Sequence, residues 1–142
     1  MNPNINKYLS YVTAIIVGVV VYQLVSHFLF KPPSFETQLM KVAAELNKNC
    51  PFMVDSDTRL DNAVGGPGKN FVYNYTLINH AAVELNIVEL KQNMIPSLTN
   101  YIKTSEDMQT FRKEKVTLKY NYKDKFGAFL FSITIGPSEY AG

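Results

Sequence analysis

TRLDNAVGGPGKNFVYNYTLI, residues 58–78, is the stretch from which the fold of this chain is read. Its second half alternates, so that an extended strand would send Phe71, Tyr73, Tyr75 and Leu77 to one face and Val72, Asn74, Thr76 and Ile78 to the other. Aromatic and β-branched side chains suit such a pleated, half-buried surface. The run Gly65-Gly66-Pro67-Gly68-Lys69-Asn70 is turn chemistry, and Thr58 to Val64 supplies a partner strand ahead of it. The stretch therefore predicts an antiparallel hairpin. Gly68-Lys69 is not part of a phosphate loop, which needs a glycine where Ala63 stands and a hydroxyl residue where Asn70 stands.

The same alternation returns at the end of the chain. Val116, Leu118, Tyr120 and Tyr122 run into a turn at Lys123-Asp124-Lys125-Phe126-Gly127, and Phe129, Phe131, Ile133 and Ile135 lead back, which predicts a second hairpin. Between the hairpins the apolar period is helical. Val83, Ile87, Leu90, Met94, Leu98 and Tyr101 share one side, Val88, Ile95 and Ile102 lie beside it, and Pro96 predicts a kink. A short helix starts at Ser105 with Glu106 and Asp107 in its first turn, where acids suit the helix dipole, and Met108 and Phe111 pack it down. Ahead of the first hairpin, Ser34 is a helix cap for the stripe Phe35, Leu39, Val42 and Leu46, and Pro51 ends that helix near Asn47 to Cys50. Residues 35–142 thus read as a compact α+β domain with a four-stranded antiparallel sheet and helices on one face.

The preceding residues differ in kind. No charge interrupts Tyr8 to Phe30, and Lys7 and Lys31 flank the stretch. At ~1.5 Å per residue this makes a helix of roughly 34 Å, long enough for a hydrocarbon core of ~30 Å. The expectation is a tail over 1–7, a single transmembrane signal anchor over 8–30 contacting the lipid bilayer, and a proline linker over 31–34. Lysines near the two ends do not set the orientation. The shorter tail favours a bacterial inner-membrane protein with its C-terminal domain in the periplasm or outside the cell. A cleaved signal would be shorter and end in small residues, and Cys50 is too far away for a lipid-modified terminus. Small residues Ala14, Gly18 and Ser26 form only a weak face for helix association.

Charge excludes some partners. The chain carries 14 Lys and Arg against 12 Asp and Glu, so beyond Lys7 the excess of base is only about one. No one-signed surface for nucleic acid or anionic lipid is expected. Cys50 is the sole cysteine, so no intramolecular disulfide forms and packing must hold the domain.

The densest polar cluster is Asp55-Ser56-Asp57-Thr58-Arg59-Leu60-Asp61. Asp55, Asp57, Arg59 and Asp61 are the candidate partner- or ligand-binding residues, set against a plain structural use in which Asp55 and Asp57 make a turn and Arg59 pairs with Asp61. A calcium loop is excluded by Arg59 and Leu60 at its fifth and sixth positions and by the lack of a closing glutamate. No metal or cofactor is expected. Cys50 with His80 would be the candidate nucleophile and base, against the commoner fate of a packed thiol. Asn74-Tyr75-Thr76 matches a glycosylation acceptor, but lies mid-strand.

Leu46-Asn47-Lys48-Asn49-Cys50-Pro51-Phe52-Met53-Val54-Asp55, with Thr58-Arg59-Leu60-Asp61 and Tyr73-Asn74-Tyr75-Thr76-Leu77, resembles a pattern in small uncharacterised bacterial envelope proteins. That resemblance implies an N-terminal membrane or lipid attachment and a compact α+β domain, and implies no activity. Type IV pilins share only the layout, since their glycine cleavage site and embedded acid are missing and Pro32-Pro33 breaks the helix. The functional expectation is a non-enzymatic binding or assembly module for an envelope protein. Two alternatives stand beside it: a small membrane-anchored hydrolase or transferase using Cys50 or the Asp55–Asp61 cluster, and a self-associating structural protein.

Overall fold

The computed structural model describes residues 33–141. The expected tail, the span and the first half of the linker lie outside the described residues. Helix α1 (Phe35–Asn47) starts where Ser34 accepts the Thr37 amide at 3.2 Å, as its hydroxyl chemistry predicts. Strand β1 (Phe52–Met53) follows a cis Cys50–Pro51 bond, and β2 (Thr58–Gly66) and β3 (Asn70–Leu77) form the first hairpin. A 3-10 turn, Ala82–Glu84, leads into helix α2 (Ile87–Thr104), which runs through Pro96. Another 3-10 turn, Glu106–Met108, leads into α3 (Gln109–Lys113); β4 (Thr117–Lys123), β5 (Phe129–Ile135) and α4 (Pro137–Tyr140) complete the order.

Both expected hairpins are present, but the expected four-stranded antiparallel sheet is corrected. Among the described residues five strands form one mixed sheet in the order β1-β2-β3-β4-β5, and β3 pairs with β4 in parallel. The reason is the helical connection between them, which returns the chain to the end of the sheet where β3 began, so β4 runs the same way. Also among the described residues, no helix is long and apolar enough to cross a membrane.

One face of the sheet is apolar and carries the helices. Phe71, Leu118, Tyr120, Tyr122, Phe131, Ile133 and Ile135 are buried there with Leu39 and Ala43 of α1 and Ile102 of α2. Its centre is a plane of rings: Tyr73 stacks on Tyr120 at 5.4 Å, Tyr75 on Tyr122 at 5.2 Å and Tyr122 on Phe131 at 4.9 Å. Each such cross-strand pair contributes about 0.5–1.5 kcal/mol beyond its buried area. The opposite face carries a polar ladder, in which Asn74 donates to Asn62 at 2.8 Å, Asn121 to Asn74 at 2.9 Å and Ser132 to Asn121 at 2.6 Å. Asn74 is thereby engaged across the sheet.

Two irregularities re-aim side chains that alternation alone misplaces. The β2–β3 register shifts between Leu60 and Asn62, so the buried positions pass from Leu60 to Ala63 and Gly65. The β4–β5 register shifts beside Tyr122, which leaves Phe129, expected in line with Phe131, 64 % exposed. On α1 the buried stripe turns through Ala43, and Val42 is exposed. That small residue suits the close approach of α1 to β2. A Cβ on Gly65 would lie 2.4 Å from both the carbonyl carbon and oxygen of Leu39. At the end of α1, Asn47 donates to the Ala63 carbonyl at 2.8 Å and accepts the Ala63 amide at 2.7 Å. The side-chain amide thus occupies the edge of β2 as a neighbouring strand would.

Gly65→Ala is expected to destabilise the domain by about 2 kcal/mol, because backbone rather than a flexible side chain must move. Gly66→Ala, where an added Cβ meets nothing within 4 Å, is the control and is expected to leave stability nearly unchanged. Urea unfolding midpoints of the two variants measure the difference.

Candidate functional site

The Asp55–Asp61 cluster is divided where β2 begins, with Asp55 and Asp57 in the turn before the strand and Arg59 and Asp61 within it. Asp55 opens the turn into β2: its Oδ1 accepts the amides of Asp57 and Thr58, both at 2.8 Å. Those bonds, the Asp57 amide foremost, hold its carboxyl below the usual range against the opposing effect of burial. Asp57 Oδ1 accepts from Asn79 at 2.6 Å and lies 3.8 Å from His80 Nε2, while the Asp57 carbonyl accepts the Ile78 amide at 2.9 Å. The turn is thus sewn to the end of β3.

Arg59 and Asp61 serve the other side. Arg59 Nε donates to Asp61 Oδ1 at 2.7 Å, and Thr76, buried opposite them, donates to Asp61 Oδ2 at 2.6 Å. Of the four sequence candidates, Asp55 and Asp57 come together at the rim of a groove, while Arg59 and Asp61 pair on the polar face of the sheet.

The groove lies between the apolar face and α2. Two adjoining hollows of about 350 Å³ and 460 Å³ share Asp55, Thr58 and Met94. Tyr75 and Tyr122 line the first with Met94, Ser97 and Leu98; Leu77, Leu85 and Leu90 line the second with Asp57 and His80. A smaller hollow follows along Glu84, Asn86, Glu89 and Asn93. Ile102 alone of α2 is fully buried, near the C-terminal end of the helix, while Leu90, Met94 and Leu98 are only partly covered by the core. Those three residues fit the core period in the sequence. Nothing in a helical stripe distinguishes a side chain packed on its own sheet from one bordering a gap.

Tyr122 is 4 % exposed, yet neither its hydroxyl nor that of Tyr75 has a hydrogen-bond partner among the described residues. No solvent-sealed side-chain oxygen or nitrogen lacks a partner among those residues, so both hydroxyls keep access to the groove. Burial pushes both phenols well above their ordinary range, Tyr75 further through Tyr122 and Tyr122 further through Asp55. They stay protonated and act as donors. The groove can therefore accept an apolar surface that presents carbonyls.

The alternative nucleophile is not assembled. Burial, and then the charge of Asp61, raise the Cys50 thiol above its ordinary range, which disfavours the thiolate. Among the described residues no hydrogen bond or ion pair joins Cys50 to His80, and no group of three His, Cys, Asp or Glu could hold a metal ion.

The chain belongs to the family described as a domain of unknown function (DUF8479), which matches residues 34–131. No curated protein matches it. Its fold is similar to that of a Pseudomonas aeruginosa protein assigned as secreted, at TM-score 0.60 and 11 % identity over 77 % of this chain and 98 % of the other. It is also similar to the pilotin EpsS of the Vibrio vulnificus type 2 secretion system, at TM-score 0.58 and 10 % identity over 73 % and 89 %. A third likeness is to the type II secretion system pilotin AspS of Vibrio cholerae, at TM-score 0.56 and 10 % identity over 73 % and 90 %. The likenesses show the fold alone; the expected single-pass inner-membrane placement and signal anchor are corrected to the extent that, among the described residues, no helix is long and apolar enough to cross a membrane.

The Asp55 turn has a pH dependence of fixed sign. Its carboxyl is depressed in the folded chain, so its stabilisation is fully present above the unfolded value near ~3.9 and is lost as pH falls through the lower folded value. In an NMR titration the Asp57 and Thr58 amide shifts are expected to move together, with a midpoint below that of a free aspartate, and Asp55→Asn to abolish the transition.

Proposed function

We propose that this domain is a non-enzymatic binding or assembly module that takes a segment of an envelope protein into the groove between α2 and the sheet. The observation that carries it is the unfilled groove itself, whose floor exposes two protonated, unpartnered phenols beside apolar walls. A folded domain gains by covering such a surface, and a partner segment laid in it would bury Leu90, Met94 and Leu98 while satisfying the hydroxyls. Apolar walls with a few placed polar groups are the ordinary make-up of a recognition site. Support also comes from the fold shared with pilotins of two type II secretion systems. The raised Cys50 thiol, and the lack of a hydrogen bond between it and His80 among the described residues, weigh against the hydrolase alternative.

The test is crosslinking and affinity recovery of the intact chain from its native cells, with Met94→Glu and Arg59→Ala compared after equal folding is established. Met94→Glu places a charge in the groove wall and is expected to lower recovery of a specific envelope protein at least about tenfold, the effect of ~1.4 kcal/mol. Arg59→Ala, on the other face, is expected to leave it intact. Equal recovery by Met94→Glu and the unaltered chain would move the contact surface away from the groove, and recovery of the chain alone would indicate self-association.

A further inference from the structure

The charge of the groove departs from that of the chain. The whole sequence has a net charge of +2, yet four carboxylates, Asp55, Asp57, Glu84 and Glu89, line the groove and its extension, and none of the lining residues is Lys or Arg. Asp55 and Asp57 come from the turn before β2, Glu84 from the 3-10 turn and Glu89 from α2, and the three hollows they border share lining residues. Asp55 is held ionised by the Asp57 and Thr58 amides, and Glu84 by the Ala81 amide and then by Lys125. Lys125 Nζ lies 3.7 Å from Glu84, so it offsets one of the four. Below the acids, Tyr122 supplies a second and independent mark of a ligand: a side chain buried by more than nine-tenths whose hydroxyl has no partner among the described residues.

Resting on the groove as the binding site, we infer that its occupant is a basic, amphipathic segment of a partner protein, with apolar side chains against Met94 and Leu98 and Lys or Arg side chains toward Asp55, Asp57 and Glu89. An acidic or neutral apolar segment could fill the same volume but would leave the carboxylates without counter-charges, and an acidic one would meet repulsion. A protein segment fits better than a lipid surface, because the site is a channel and not a protruding apolar tip, and its acids would repel anionic headgroups. Tyr75 and Tyr122 donate to carbonyls of the incoming chain.

The purified full chain contains no Trp, so a short peptide carrying one Trp reports binding by its own fluorescence. The probes are an amphipathic Leu/Lys peptide and a Leu/Glu peptide with identical apolar positions. The Lys peptide is expected to bind about tenfold more tightly, the size two or three exposed ion pairs provide, and to lose that margin at high salt. The triple substitution Asp55→Asn, Asp57→Asn and Glu89→Gln is expected to remove the preference, while Tyr122→Phe weakens both peptides without changing their ratio. A folded Glu89→Gln single variant gives a partial loss if the triple variant does not fold. Equal binding of the two peptides, or a preference that survives the charge substitutions, overturns the inference. If the peptides show no preference while Met94→Glu still abolishes recovery of the native partner, the basic segment is wrong and the groove stands. If Met94→Glu leaves that recovery intact, the groove reading falls with it.

Discussion

The architecture depends on a backbone-to-backbone contact, Leu39 of α1 against Gly65 of β2, where there is no room for a Cβ. This contact sets the height of α1 above the sheet, and the small Ala43 continues it one turn later. With α1 at that height, the amide of Asn47 reaches Ala63 and covers the edge of β2. The chain then has only a few residues in which to reach β1, pair it with Leu60 and Arg59, and turn at Asp55. The rim of the groove is therefore positioned from the far end of α1. Glycine is needed at 65 for space and not for backbone angle, unlike Gly68 with its positive φ in the hairpin turn.

The parallel pairing of β3 with β4 determines the rest of the site. It requires a crossover, and the crossover helix α2 has to lie over the apolar face. One end of α2 is held by Ile102 and by Arg112, which donates to the Ile102 and Ser105 carbonyls at 2.6 and 2.7 Å. The other end borders the groove, over a floor of stacked rings that also belongs to the core. A stiff aromatic floor changes little when a segment binds, which lowers the ordering cost of association.

Particular residues show how far sequence patterning carries. The hairpins were legible because period-two alternation of Tyr73, Tyr75, Tyr120 and Tyr122 is incompatible with helix and because glycine and proline punctuate it. Val42 and Phe129 depart from the pattern because a helix stripe can turn by one residue and a strand can carry a bulge, and both choices are made by the partner surface. The polar cluster is legible as a cluster and its spacing allows the pairing of Arg59 with Asp61, yet its division between the groove rim and the polar face depends on where the strand begins. The groove itself had no signature, since Leu90, Met94 and Leu98 have the spacing of ordinary core residues.

By itself the sequence determined the two hairpins, the main helices and their order, because those follow from local periodicity, caps and turn residues acting over a few positions. It also determined that packing, with a single cysteine, must hold the domain. Tertiary structure alone decided the parallel β3–β4 pairing, the fifth strand, the bulges, and the separation of Asp55 and Asp57 from Arg59 and Asp61. Those features depend on contacts between residues distant in the chain, where close approach at Gly65 and the path of α2 select one arrangement among several that satisfy the same local pattern.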